Sequence, residues 1–281
     1  MWADTPQLSR RPVETSAMLA VIAELAADDD VLAARIRREL AERRERLPEW
    51  LDRLRDAEVY AAQEMVHVLG DGDNIHVAVR FAGGAELTAV IYIDHNVGTL
   101  VKDAFVVPEA ISELEAFMRS KIDDPDTMWR DLDLADARVR LTEAIERSAM
   151  TVPPYETDTW PVCRPIVEWL TRRMPAGGVG YERPEWTERD QHELADRFFA
   201  SRFGAPLDDA DQRGLLESLI WFGTDYGPGD PLRWSPVAVE IILHDWIPRK
   251  LVTDPPYLAK APDLLRALSG SAMRNGGSGP T

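Results

Sequence analysis

Four side chains able to hold a cation or move a proton fall close together in this chain: Asp71, Asp73, Asp94 and His95. They lie in polar interruptions between alternating apolar runs, where Asp, Asn and Gly supply turn conformations. Gly70-Asp71-Gly72-Asp73-Asn74 separates the run 64–69 from 75–81. Gly83-Gly84 ends the second run, and Asp94-His95-Asn96-Val97-Gly98 divides 87–93 from 99–107. Four strands joined by short turns form an antiparallel meander, so the first and third turns share one end of the sheet. Carboxylate oxygens gathered there would suit Mg²⁺ or Mn²⁺. His95 would complete the shell or act as general base, and Lys102 would counter substrate charge. The same residues are ordinary hairpin-turn chemistry, and that structural reading outweighs the metal.

Register sharpens the expectation. With Gly83-Gly84 as a two-residue turn, Asp73 lies opposite Asp94 and Val77 opposite Val90. Ile75, Val77, Val79 and Phe81 then share a face with Val90 and Tyr92. His67 and His76 become near neighbours on the other face, two ligands short of a transition-metal site.

The elements that must position these groups read as α+β. Two N-terminal helices are expected, with apolar stripes Met18, Leu19, Ile22, Leu25 and Val31, Leu32, Ile36, Leu40. Six arginines between 35 and 46 alternate with Glu39, Glu42 and Glu45, the pattern of a salt-bridged solvent face rather than a nucleic-acid surface. A helix opened by Pro108 is expected to cover the apolar face of the meander. The aspartates from 123 to 136 lack the glycine and closing glutamate of an EF-hand and read as helix-start residues, with a helix over 127–150. Pro153-Pro154 marks a boundary. Beyond it, tryptophans at 160, 169, 186, 221, 234 and 246 accompany helical segments at 166–174, 187–203, 209–222 and 236–246, which predicts an aromatic-filled bundle. The expected divisions are a helical region 1–57, the meander with packed helices 58–151, a helical domain 155–270 and a disordered tail 271–281.

Composition excludes several functions. A formal charge of −17 over 281 residues disfavours a broad nucleic-acid or anionic-membrane surface. The one cysteine, Cys163, excludes an intramolecular disulfide and multi-cysteine zinc sites, and reads as an inert thiol in a reducing cytoplasm. No run approaches the length of a membrane helix. A phosphate-binding glycine loop, a nucleophile elbow and paired histidines at metal spacing are all missing.

Tyr92-Ile93-Asp94-His95-Asn96, Gly98-Thr99 and Lys102 to Val107, with Trp234-Ser235-Pro236 and His244-Asp245-Trp246-Ile247-Pro248-Arg249-Lys250, resemble an uncharacterised family of actinobacterial proteins. The resemblance implies a bacterial cytosolic setting and brings no activity or site residue with it. The expected function is a cytoplasmic interaction or regulatory protein whose partner is another protein. Asp71, Asp73, Asp94, Asn96, Arg249 and Lys250 are its binding candidates. The alternative is a metal-dependent hydrolase or phosphoryl-transfer enzyme, with Asp71, Asp73 and Asp94 on Mg²⁺ or Mn²⁺ and His95 and Lys102 in catalytic roles.

Overall fold

The computed structural model describes residues 12–26, 29–43 and 45–275. Helices α1 (Pro12–Leu25), α2 (Asp30–Glu42) and the short α3 (Glu49–Asp52) precede strands β1 (Glu58–His67), β2 (Gly72–Arg80), β3 (Glu86–Asp94) and β4 (Leu100–Val107). Helix α4 (Ile111–Lys121) leads to strand β5 (Thr127–Leu132), followed by α5 (Leu134–Met150) and α6 (Thr159–Arg173). The C-terminal part comprises α7 (Glu188–Ala200), α8 (Ala210–Trp221), α9 (Pro236–Ile241), α10 (Ile247–Lys250), α11 (Pro255–Leu258) and α12 (Ala261–Asn275). Two π-helical segments, Phe222–Tyr226 and Ile242–Trp246, continue α8 and α9.

The expected α+β architecture is present, and the meander gains a fifth strand, giving the order β4-β3-β2-β1-β5. β5 occupies the start of the segment expected to be helical. It pairs antiparallel with β1, Met65 facing Trp129, and the helix begins only after Asp133, whose carboxylate accepts from the Ala135 N–H.

The β2–β3 register differs by one residue from the two-residue-turn expectation. The Phe81 N–H donates to the Ala85 carbonyl, so three residues turn the chain, with Gly83 and Gly84 both at positive φ. Gly72 therefore pairs with Asp94, Asp73 with Ile93 and Val77 with Ala89. Because side chains alternate, this slip turns Ala89, Ile91 and Ile93 rather than Val90 and Tyr92 toward the face of Ile75, Val77 and Val79.

That aliphatic face is covered by α5 and α6, through Leu141, Ala144, Trp160, Val167 and Leu170, all fully buried. By packing, α6 belongs with the sheet. A second core forms among α7, α8, α12 and the π segments, around Phe198, Leu215, Leu219, Phe222 and Leu264. Buried Glu64 ties β1 to α5 and β5, accepting from Arg140 at 2.6 Å and pairing with Arg130 at 3.0 Å.

Helix α4 covers the opposite face of the sheet from the one expected, placing Ile111 and Leu114 over the side that carries His76, Thr88 and Val90. The N-terminal stripes are also displaced. Ile36 is buried as its stripe requires, but Met18, Ile22 and Val31 are exposed, and the small residues Ser16, Ala23 and Ala33 are buried where α1 and α2 meet. The disordered tail expected from Ser271 is helical over its first residues, since α12 runs through Asn275; residues 276–281 lie outside those described.

At the outer edge of β4, the Lys102 carbonyl accepts from the Thr157 N–H, and the Asp103 carboxylate accepts from the Thr157 and Thr159 hydroxyls. These contacts cover part of an edge that would otherwise offer unpaired backbone groups.

His76 and His67 are not neighbours: His76 pairs with Gln63, four residues along β1 from His67. His76 is fully buried against Trp129, at 5.5 Å between ring centroids, and neither ring nitrogen has a hydrogen-bond partner among the described residues. Burial lowers its pKa from 6.5 to about 4, against the attraction of Glu115. The depressed value means that the unfolded chain takes up the proton first as pH falls. Stability is therefore lost below pH 6.5, by about 3 kcal/mol once pH reaches the folded-state value. Urea titrations across this window are expected to show that His76→Leu loses less stability on acidification than wild type. Equal slopes for the two proteins would contradict the assignment.

Candidate functional site

The first and third turns of the meander do meet at one end of the sheet, but their carboxylates face three different sets of partners, Asn96 alone touching two of them. Asp73, on the aliphatic face, reaches His95: its Oδ2 lies 2.9 Å from Nε2. The other ring nitrogen, Nδ1, is 3.3 Å from the Thr99 hydroxyl. A proton on Nε2 satisfies this chain fully, with Nδ1 accepting from Thr99. Thr99 holds φ at +63°, alone among the described non-glycine residues, and places its hydroxyl under the imidazole. The edge of Tyr181 closes over His95 at 4.9 Å, and burial followed by the charge of Asp73 drives the Tyr181 phenol well above its ordinary range.

Asp94 occupies the other face. Its carboxylate accepts from Lys102 Nζ at 3.1 Å and from the Asn96 backbone N–H at 2.9 Å. Burial disfavours the charge on Lys102, but hydrogen bonds to Tyr155 and Asp94 outweigh it and hold the ammonium above its usual range. Tyr92, beside them, is pushed up to about 12 by burial and then by the charge of Asp94.

Asp71 forms the third group. Its Oδ1 accepts from Asn96 Nδ2 at 2.8 Å and from the Ser235 hydroxyl, and its backbone carbonyl accepts from the His95 N–H at 2.9 Å. Ser235 in turn caps α9, its Oγ accepting from the Ala238 N–H at 3.0 Å. Nearby, Arg233 lies over Gly70, where an added Cβ would come within 2.7 Å of Nη1. Gly98 faces the Tyr226 carbonyl. The acidic edge is thus a seam between the sheet and the C-terminal helices.

This arrangement leaves Asp71, Asp73 and Asp94 without a shared cation position. Among the described residues, one group of three His, Cys, Asp or Glu brings its donor atoms within 4.8 Å of one another: His67, Asp124 and Asp126. There His67 Nδ1 accepts from the Leu69 N–H at 3.1 Å, which puts the ring proton on Nε2, facing Asp124 at 3.2 Å. Neither nitrogen keeps a free lone pair for a metal.

Arg249 and Lys250 are exposed on α10, and neither contacts Asp71, Asp73 or Asp94 among the described residues. Arg249 pairs with Asp245, and Lys250 Nζ lies 5.1 Å from the Tyr226 ring centroid. Sequence reasoning missed Thr99, Tyr181, Arg233 and Ser235 as members of the seam. Ser235-Pro236 carries a legible helix-start signal, but nothing local links it to Asp71, 164 residues earlier.

Among the described residues no helix is long and apolar enough to cross a membrane. Comparison of the chain with protein families, with characterised proteins and with solved structures finds no match.

Two outcomes follow from the seam. A double-mutant cycle of Asp71→Asn and Ser235→Ala is expected to give a coupling of about 1–3 kcal/mol in urea unfolding, since the pair is charge-assisted. Additive effects would show that the contact contributes nothing. Calorimetric titration of Mg²⁺ and Mn²⁺ is expected to give the same heats for wild type and a folded Asp73→Asn, Asp94→Asn variant. Heat lost in the variant would restore these carboxylates as metal ligands.

Proposed function

We propose that the chain works by binding another protein, and that its acidic edge is structural rather than catalytic. The observation that carries this reading is an exposed aromatic pair on the C-terminal helices. Trp221 and Tyr226 remain 41% and 38% exposed although their rings meet edge-on at 5.0 Å. Buried Trp246 supports both, at 5.5 and 5.8 Å. Lys250 lies over the Tyr226 ring at 5.1 Å, and Trp and Tyr are residue types in which binding energy concentrates at protein interfaces. Rings held by buried neighbours lose little further freedom on association. Trp221 precedes and Tyr226 ends one π-helical segment, a backbone form enriched at functional positions. Unpaired Cys163 accords with a reducing, cytoplasmic setting.

Affinity capture from cells that naturally express the chain, quantified by mass spectrometry, tests the reading. A Trp221→Ala, Tyr226→Ala variant with unchanged circular dichroism is expected to recover at least tenfold less of a specific partner. Lys250→Glu should weaken capture further. A partner retained equally by wild type and both variants would reject this surface.

A further inference from the structure

The two edges of the sheet differ. Thr157 meets the backbone of β4, whereas β5 ends the strand order with no strand beyond it among the described residues. The Val68 N–H donates to the Asp126 carbonyl, which makes these two a hydrogen-bonded pair of the antiparallel ladder. Following the register from there, Val66 with Met128, Glu64 with Arg130 and Ala62 with Leu132 are hydrogen-bonded pairs as well. Thr127, Trp129 and Asp131 therefore turn their backbone groups away from β1. The Asp124 carbonyl takes the Thr127 N–H. The Thr127 carbonyl, and the N–H and carbonyl of both Trp129 and Asp131, have no hydrogen-bond partner among the described residues.

Edge strands are commonly blunted by proline, by a bulge or by charges held over the rim. β5 reads Thr-Met-Trp-Arg-Asp-Leu, without proline, and pairs with β1 in unbroken register. Both its charges lean back over the sheet. Arg130 pairs with Glu64 of β1 at 3.0 Å, and Asp131 accepts from Gln63 of β1 at 3.3 Å. Met128 stands 45% exposed beside them. The open edge is thus left without a charged guard.

We propose that β5 pairs antiparallel with β5 of a second copy of this chain, Trp129 of one opposite Trp129 of the other, which joins the two sheets into one. In this register each Trp129 N–H meets the carbonyl of the opposite Trp129, and each Asp131 N–H meets the opposite Thr127 carbonyl. On one face the two indoles form a cross-strand aromatic pair, each backed by its own Arg119 at 5.2 Å. On the other, Met128 lies against the aliphatic stem of the opposite Arg130. Setting Trp129 opposite Asp131 instead would place the two Arg130 side chains directly against each other. A shift the other way, Trp129 opposite Thr127, would leave the backbone of Asp131 unpaired. Because β5 is used on both sides of a two-fold axis, the pairing closes at two copies, and the contacts of Thr157 on β4 oppose growth from the far edge. The contact is independent of the Trp221–Tyr226 surface. A six-residue edge buries little area and the chain carries a charge of −17, so the dimer is weak.

The test is sedimentation equilibrium of the full chain from about 10 μM to about 1 mM, a span that covers the affinities of small interfaces. Salt at about 0.15 M screens the net charge. The mass is expected to rise with concentration from that of one chain toward that of two. Asp131→Pro removes an outward N–H where an edge strand tolerates proline. It is expected to raise the dissociation constant about tenfold or more with unchanged circular dichroism, since each side loses a bond. Met128→Lys, which sets a cation opposite Arg130 from an exposed position, should weaken the dimer similarly and decides the matter if Asp131→Pro fails to fold. Two results would overturn the proposal. One is a wild type that stays monomeric throughout, leaving the edge to a strand of a different protein. The other is dimerisation undiminished in either folded variant.

Discussion

The carboxylate of Asp71 is the contact on which the arrangement of the two cores depends. It accepts from Asn96 within the sheet and from Ser235 at the start of α9, so one side chain joins the turns of the meander to a helix cap far along the chain. A charged acceptor with two donors is stable in a part-buried setting where an unpaired carboxylate is not. The same contact fixes the entry of α9, and through it the π segment that carries Trp246 beneath the exposed aromatic pair. What resembles a catalytic cluster in sequence is a fastening in space, and the exposed aromatic pair proposed as a binding surface rests on that fastening.

Much of the fold is legible because its signals are local. Alternation and Asp-Gly turns define the meander, and the helix expected from residue 187 does start there, Thr187 and Asp190 forming a capping box. The failures are equally physical. A Gly-Gly pair is compatible with two-residue and three-residue loops, and only the Phe81 to Ala85 hydrogen bond distinguishes them, so the facing of β3 could not be read. β5 escaped because an edge strand with exposed Met128, Arg130 and Asp131 has no core alternation to reveal it.

The candidate site was legible as a place and not as a set of contacts. Asp71, Asp73, Asp94 and His95 do gather at one end of the sheet, as the meander requires. Asp73 and Asp94 nevertheless emerge on opposite faces, and each engages a different cation or ring. Their partners Tyr181 and Ser235 come from distant segments whose approach no spacing rule encodes. Arg233 likewise looks like a routine loop arginine until the glycine beneath it is seen, where a side chain would collide with the guanidinium.

The segment that crosses the outer side of β4 acts as a guard against self-association. With the Thr157 N–H on Lys102 and both threonine hydroxyls on Asp103, an incoming strand would have to displace these contacts before it could pair there. The connection between α5 and α6 thereby caps part of that edge, so shortening this connection would bare backbone groups that a second strand could pair with.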